Sequence, residues 1–436
     1  MTLYLSLCVL YLFAIPPGES PDEPSHLQCI EQVSILNRIP IVDPPPHGLW
    51  WTRERVISGL TCYHLPLYYF VAGYTQKMLA LTTGTSLHYE FPPADPDFAT
   101  GASVAMFAHG SKSGFWVLTE PFTLTALRIE SILFGLVTLW TAYRIARRLV
   151  PTAPYAPLFA VTLVAGWPQF VFMSRAINND MLAFALAGAT LAILVGSDHP
   201  RRYIAANVLI VAAVLSKTTM VFTAGVAALS WVIEWFTASG KARRIQLTRF
   251  GLISILLFGA LVAFLILQPT LREHVQATAT TITPPNPASQ TATYWGNVFR
   301  TTLQSGWGRF GWMNLATPDS QVYTWWALLA ITVPIGFISA TCRSHKAINR
   351  HVILICSAWI ICTLVVYSRI QLNRFQPQFR YAFAMIPVLT AFSGVGLTTL
   401  LGSSARLQRL AVLLLTALLL AVNLWIVFVV LVPAYV

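Results

Sequence analysis

Apolar residues run along the chain in long blocks separated by short polar or basic stretches. A transmembrane helix needs about 20 predominantly apolar residues. Blocks near that size fall at 1–15, 121–143, 151–168, 180–196, 203–217, 219–236, 250–267, 324–341, 351–368, 381–401 and 410–431. The pattern predicts about eleven transmembrane helices. The run 63–81 (YHLPLYYFVAGYTQKMLAL) is apolar enough for a twelfth. A crossing there would put the Arg144–Arg148 cluster on the wrong side. It is therefore predicted as an amphipathic helix in the outer interface, with its tyrosines at headgroup depth.

Composition agrees with the blocks. Only 10% of the 436 residues are charged and 56% are hydrophobic, whereas a soluble domain carries about 25% charged residues. A soluble enzyme, a disordered chain and a small disulfide-stapled module are excluded. The net charge of +12 would suggest a nucleic-acid partner until the basic residues are located. Fourteen of 28 sit in five short connections: Arg144/Arg147/Arg148, Arg201/Arg202, Lys241/Arg243/Arg244/Arg249, Arg343/Lys346/Arg350 and Arg406/Arg409. These alternate as one side of a membrane, and short basic loops stay cytoplasmic. The basic charge is topology, and no nucleic acid is expected.

The carboxylates lie on the other side. Ten of 16 fall between Glu19 and Glu120, among them Asp43 and Glu54, while Asp198 and Glu234 lie near the cytoplasmic face. The expected organisation is one transmembrane domain over 1–436, with a first extracytoplasmic loop at 16–120 and a second at 268–323. The second loop holds TATTITPPNPASQT, predicted mobile. The first span has no basic residue before it and no small-residue cleavage site after it, so it is expected to be retained. The outer segment RIQLNRFQPQFR (369–380) breaks the positive-inside pattern. Cations kept at the outer mouth of helices hint at function.

Candidate chemistry gathers on that outer face. Pro21-Asp22-Glu23-Pro24-Ser25-His26 follows the first span, with prolines on both sides of two carboxylates. Prolines stiffen the backbone and give the acids a defined aim. A solvated acidic helix exit is the bland alternative. Asp180 opens the fourth span beside Arg175. It could be a helix cap or a second functional acid, with Arg175 its partner or an anion ligand. Lys217 could snorkel or bind phosphate. Arg380-Tyr381 opens the tenth span, and an Arg fork matches phosphate oxygens. Sugar transfer from a polyprenyl phosphosugar needs one base for the acceptor hydroxyl. It also needs positive charge for the leaving phosphate, which a divalent metal on Asp22 and Glu23 could supply instead. Neither a P-loop nor a dinucleotide fingerprint is present.

Four segments carry a family resemblance: PDEPSHLQCIEQVSILNRIP, YHLPLYYFVAGY, RIESILFGLVTLWTAYRIARR and WPQFVFMSRAINNDMLAF. Weaker echoes are LSKTT, GRFGWMN and QPQFRYAFAMIP. In this order they resemble the GT-C superfamily of polytopic glycosyltransferases, in particular the bacterial aminoarabinose transferases, the protein O-mannosyltransferases and a related group of bacterial membrane proteins. The resemblance implies an all-α, GT-C-like membrane fold and an inverting transfer from a polyprenyl-phosphate-linked donor. It implies Asp22 as base or metal ligand, Glu23 its neighbour and Asp180 a second acid. It matches Lys217 and Arg380 to the family's cations at the lipid phosphate; His26, His64, Arg175, Arg309, Tyr381, Trp307 and Trp312 are expected toward substrate from their place on the outer face. A bacterial inner membrane with the site on the periplasmic face is also implied, with membrane lipid, lipid-linked sugar and an acceptor as partners. Leu65 stands where the family pattern has a proline after His64.

Other signals are weaker. Of six cysteines, only Cys29 and Cys62 share the large outer loop and could pair in an oxidising compartment. Trp307 and Trp312, in a glycine-rich outer stretch, could line an acceptor or sugar pocket. A glycolipid transporter or flippase would also need ionisable groups near the membrane, but it predicts an inverted repeat and broken mid-bilayer helices. No repeat is visible, and most span centres are apolar. A non-catalytic scaffold with a transferase-like fold is the third reading.

Overall fold

The computed structural model describes residues 1–41, 60–98, 100–109, 122–196, 199–282, 286–342 and 347–435. Asp43, Glu54, Glu120, Asp198, Arg343 and Lys346 lie outside the described residues. Among the described residues the fold is all-α apart from a two-residue hairpin, β1 (Arg309–Phe310) with β2 (Leu315–Ala316), and an isolated bridge between Ala94 and Phe107.

Each predicted span has a helix. In chain order they are α1 (Thr2–Ala14), α4 (Phe122–Leu149), α5 (Ala156–Ala165) with α6 (Pro168–Ser174), α7 (Asn179–Gly196), α8 (Arg202–Ser216) and α9 (Phe222–Thr237). Then follow α10 (Lys241–Leu267), α13 (Asp319–Cys342), α14 (Ala347–Asn373), α15 (Ile386–Leu400) and α16 (Ala405–Trp425). Among the described residues, eight helices have the length and apolarity to cross a membrane unaided. The α5–α6 pair makes a ninth, and α1 and α8 are shorter apolar helices. The predicted third span, 151–168, ends at a bend of 62° between α5 and α6, and α6 carries the chain past it. Pro168 is the cause. Proline offers no amide hydrogen and drives the residue before it out of helical geometry, and Trp167 is extended (φ −71°, ψ 109°).

Two further helices belong to the first loop: α2 (Glu23–Leu36) and α3 (Leu67–Thr83). The latter forms where the amphipathic helix was predicted and stops at Gly84, in left-handed geometry with φ +68°. Cys29 and Cys62 form a disulfide, with Cα atoms 5.4 Å apart, tying α2 to the short 3-10 turn Leu60–Tyr63. The second loop is largely helical. It contains α11 (Pro269–Ile282) and α12 (Ala292–Trp307). The Pro/Thr stretch contributes the end of α11 and a 3-10 turn, Pro287–Gln290, capped by the Asn286 side chain; residues 283–285 lie outside the described set.

The core is built by α1, α4, α5, α7, α13 and α15. α13 and α15 cross at glycines. A Cβ on Gly336 would lie 1.8 Å from the Phe392 carbonyl oxygen, and one on Gly396 2.0 Å from that of Thr332. Small residues of this kind let membrane helices approach backbone to backbone. The basic ends of α8 and α10 meet at the close of α9. There Glu234 accepts from Arg202 and Arg243, both at 2.6 Å, and from Tyr203 at 2.8 Å. His351 joins them through Ser230 at 3.2 Å.

Candidate active site

The chain leaves α1 through Ile15-Pro16-Pro17-Gly18 and enters α2 at Asp22. Glu23 fixes this turn. Its carboxylate accepts from Arg128 Nε at 2.9 Å and Nη2 at 3.0 Å. It also accepts from the amides of Gly18 (3.2 Å) and Ile177 (3.1 Å). Arg175 Nη1 stands 3.9 Å away. Arg128 further donates to the Ile15 and Pro16 carbonyls. Glu23, Arg128 and Arg175 are each at most 1% exposed. Burial alone would raise the Glu23 pKa. The charges of Arg128 and Arg175 and the hydrogen bonds outweigh it and hold the carboxyl below its ordinary value.

One residue earlier the surroundings change. Asp22 sits in left-handed geometry (φ +66°), which costs a non-glycine residue and persists only where neighbours enforce it. Its Oδ2 accepts from Arg380 Nη2 at 2.5 Å. Asp22 and Arg380 border a cavity of about 60 Å³ together with Asp180, Lys217, His26 and His64. Tyr63, Arg374, Gln376 and Tyr381 complete its rim with Thr61 and Asn179.

Several helices bring an end to this place. Asn179 and Asp180 open α7, and Asn179 donates to the Ser216 carbonyl at 3.1 Å, docking the close of α8. Lys217 follows immediately and donates to Asp180 Oδ1. Its ammonium lies over the Tyr381 ring at 5.1 Å, and the Arg380 guanidinium lies over the same ring at 5.2 Å. Tyr381 is itself held by Gln376 at 2.5 Å. Three cations (Lys217, Arg374, Arg380) thus face two carboxylates.

The histidines add no positive charge near neutral pH. His26 Nδ1 lies 3.2 Å from the Tyr69 hydroxyl and 3.3 Å from Thr61 Oγ1. Burial pushes its pKa down to about 3; Asp180 opposes this, and Lys217 and Arg380 add to it. His64, stacked on His26 with ring centroids 6.2 Å apart, is lowered in the same direction, again chiefly by burial.

Of the residues expected toward substrate, His26, His64, Lys217, Arg380 and Tyr381 border this cavity with Asp22 and Asp180. Glu23 and Arg175 lie beneath it in the buried ion-pair cage. Arg309 belongs to β1, and its backbone amide donates to Gln169 Oε1 at 2.9 Å. Trp307 stacks at 4.5 Å on Trp325 and borders another cavity. Trp312 packs against Met106 and Phe107. The Asp22–Glu23 pair does not converge on a common point, because Glu23's oxygens are taken by Arg128 and two amides. Among the described residues no three His, Cys, Asp or Glu side chains are grouped to hold a metal ion. Sequence reasoning missed Arg374, Tyr63 and Gln376. The unusual basic outer segment 369–380 marked the stretch holding Arg374 and Gln376, but nothing in it distinguished them from Arg369.

Residues 114–275 match the family described as dolichyl-phosphate-mannose-protein mannosyltransferase. The segment includes Arg128, Asp180 and Lys217 and excludes Asp22 and Arg380. No curated protein sequence matches the chain. Among solved structures, ArnT from Cupriavidus metallidurans bound to undecaprenyl phosphate shares the fold with a TM-score of 0.53 at 12% identity. The likeness covers 100% of this chain and 72% of that one, and the apo state of the same protein matches equally. The oligosaccharyltransferase of Archaeoglobus fulgidus, in complex with Zn and sulfate, aligns more distantly, with a TM-score of 0.45 at 13% identity over 99% of this chain and 52% of that one. Over the matched segment the chain is similar to a family of membrane mannosyltransferases, and over its whole length it shares the fold of ArnT.

Proposed function

We propose that the protein transfers a sugar, with inversion, from a polyprenyl-phosphate-linked donor to an acceptor hydroxyl on the extracytoplasmic side of the membrane. The observation that carries this reading is the convergence of two carboxylates and three cations on one cavity at the ends of α7, α8 and α14. Asp22 takes the proton of the acceptor hydroxyl. The acceptor oxygen bonds to the anomeric carbon from the face opposite the phosphate. The bond from that carbon to the phosphate oxygen breaks, and its electron pair leaves with the lipid phosphate. A single displacement of this kind inverts the anomeric centre.

The leaving phosphate needs no proton, only fixed positive charge. Arg380, Lys217 and Arg374 supply it. Asp180 holds Lys217 and orients the acceptor. Arg380 is hydrogen-bonded to Asp22, so one guanidinium stands between the base and the phosphate it would hold. The neutral histidines leave the cavity's excess of one positive charge unchanged, which suits a monoanionic phosphodiester. Glu23 acts through Asp22, as the anchor of the turn that aims it. The support for a lipid-linked donor is the shared fold of ArnT, a protein seen with undecaprenyl phosphate bound.

The test uses purified full-length chain in lipid nanodiscs with a panel of labelled polyprenyl phosphosugars. Release of free polyprenyl phosphate by wild type, abolished by Asp22→Asn, is the expected result. Full release by Asp22→Asn would overturn the assignment of the base. Transport of intact donor lipid across the bilayer without phosphate release would replace the transferase reading with a flippase.

A further inference from the structure

Asp180 opens α7 and Gly196 closes it. At the closing end lies a cavity of about 460 Å³, lined by Tyr143, Arg144, Arg147, Arg148, Pro151 and Gly196. A rise of about 1.5 Å per residue puts it about 24 Å along the helix from Asp180.

Arg144, Arg147 and Arg148 fall in the last two turns of α4, where residues three and four apart share a face. α4 packs along α7. Arg148 donates to the Gly196 carbonyl, and a Cβ at Gly196 would collide with the Arg144 guanidinium. Arg147 donates to the Tyr143 hydroxyl at 3.1 Å. Cations are favoured at a helix C-terminus, which accounts for one or two of these arginines at the end of α7. It does not account for three of them around one concave space. The nearby basic ends of α8 and α10 are neutralised by Glu234, which accepts from Arg202 and Arg243. The lining of this cavity holds three guanidiniums and no carboxylate among the described residues. Counting Asp198, two residues past Gly196 in the chain, against them still leaves two positive charges.

Fixed forks of donors around an open space suit phosphate oxygens. The face of α4 that leads to the cavity indicates what carries the phosphate. Ile129, Leu133 and Trp140 are 43%, 53% and 39% exposed, and at helical spacing they fall in line with Arg144 and Arg147. The Arg144 guanidinium lies over the Trp140 ring, 5.7 Å from its centroid. An exposed apolar stripe on a membrane-spanning helix thus runs into a basic cavity, with Trp140 and Tyr143 at the join, as aromatic residues stand at headgroup depth. A ligand with hydrocarbon below an anionic head fits both parts. Short basic connections place this end of α4 in the cytoplasmic leaflet.

We propose that the cavity binds the phosphate of an anionic glycerophospholipid of the cytoplasmic leaflet, with an acyl chain lying along the Ile129–Trp140 face of α4. The site is separate from the Asp22 cavity and does not depend on the transfer reaction.

The experiment reads lipid retention by native mass spectrometry of the full chain, released from nanodiscs of equal phosphatidylglycerol and phosphatidylcholine with matched acyl chains. Wild type is expected to retain phosphatidylglycerol about 10-fold in preference. Arg144→Gln with Arg147→Gln should bring the two lipids near equality. The single Arg147→Gln, at an exposed position, should cut the preference about 5-fold and serves if the pair inserts poorly. Arg406→Gln with Arg409→Gln removes as much charge from the start of α16 and should leave the preference unchanged. Glycerol 3-phosphate, which has the phosphate without the chains, should not displace the lipid at millimolar concentration. Equal retention of both lipids by wild type would overturn the proposal. Equal loss in the Arg406/Arg409 variant would reduce the effect to diffuse surface charge, and displacement by glycerol 3-phosphate would make the cavity a site for a soluble phosphate; either also overturns it.

Discussion

Asp22 and Glu23 are consecutive and carry the same charge, yet they serve two different regions. Glu23 is 1% exposed, and its oxygens are matched by an arginine fork and two backbone amides. Asp22 has a side chain 18% exposed, one arginine partner and a cavity beside it. A buried charge is tolerated when every lone pair is met, and a group so satisfied has nothing left for a substrate. A functional carboxylate needs the reverse: fixed aim and an unfilled side. The prolines at 21 and 24 and the Glu23 cage supply the aim. The cavity supplies the unfilled side.

The largest expected effect separates these two regions directly. Asp22→Asn keeps shape and removes the base, so transfer should fall about 10²–10⁴-fold, while the melting temperature stays within a degree or two of wild type. Phosphate-release assays and a thermal melt of the same preparation check both. An inactive variant that also melts early would make Asp22 part of the scaffold and dissolve the contrast with Glu23.

Glu23→Gln tests the other half. Removing one partner from a buried ion pair leaves an uncompensated charge on Arg128 and costs about 3–5 kcal/mol. The expected outcome is a lower melting temperature, with any surviving folded protein still turning over. Replacing both partners, Glu23→Leu with Arg128→Met, should recover part of the lost stability, because no orphan charge remains. A Glu23→Gln protein of wild-type stability with no transfer would move Glu23 into the chemistry.

The contrast explains what could be seen in the sequence. The spans were legible because run length and loop charge are local properties, and the helix ends fall within a few residues of the predicted blocks except where α10 starts nine residues early, at Lys241. The bend at Trp167 was hidden because WPQFVF is apolar on both sides of its proline. The outer-face acids and cations were legible as a set, since parity alone puts Asp22, Asp180, Lys217 and Arg380 on one side. Their division of labour was not. Whether a carboxylate meets Arg128, 105 residues away, or opens on a cavity depends on tertiary packing that no local pattern encodes. Trp307 shows the same limit. Its neighbourhood of glycines suggested a substrate wall, but the residues that decide its surroundings are Trp325 and Leu419 on other helices.

The disulfide sharpens the comparison at smaller cost. Cys29 and Cys62 are 33 residues apart, and closing such a loop stabilises by about 2–4 kcal/mol. The bridge also sets the strand of cavity residues Thr61, Tyr63 and His64 against α2. Cys29→Ser with Cys62→Ser should lower the melting temperature and raise the donor KM more than it lowers kcat, because Asp22 remains anchored by Glu23. Equal losses in both would mean that the bridge, and not the Glu23 cage, aims the base.

The smallest effect concerns pH. Burial holds His26 at about 3, against 6.5 for a free imidazole, and lowers His64 in the same direction. The unfolded chain therefore takes up protons near pH 6.5 that the folded cavity refuses. Stability from burying the neutral rings is complete above 6.5 and is lost as pH falls from there toward 3. Glu23, held below its ordinary 4.5, loses its contribution only at more acidic pH, and His274, which burial also lowers, is common to every variant, so differences between variants from 6.5 to 5 report His26 and His64. Glu31, whose carboxyl burial raises, acts with the opposite sign but is present in every variant and cancels. Each histidine adds a slope of at most about 1.4 kcal/mol per pH unit. Melting temperatures between pH 7.5 and 5 should thus decline for wild type, less steeply for His26→Gln, and least for His26→Gln with His64→Gln. Parallel curves for all three proteins would mean that the cavity admits protonated histidine. Its surplus of positive charge would then grow on acidification, and donor affinity would rise at low pH where a neutral pair predicts no change.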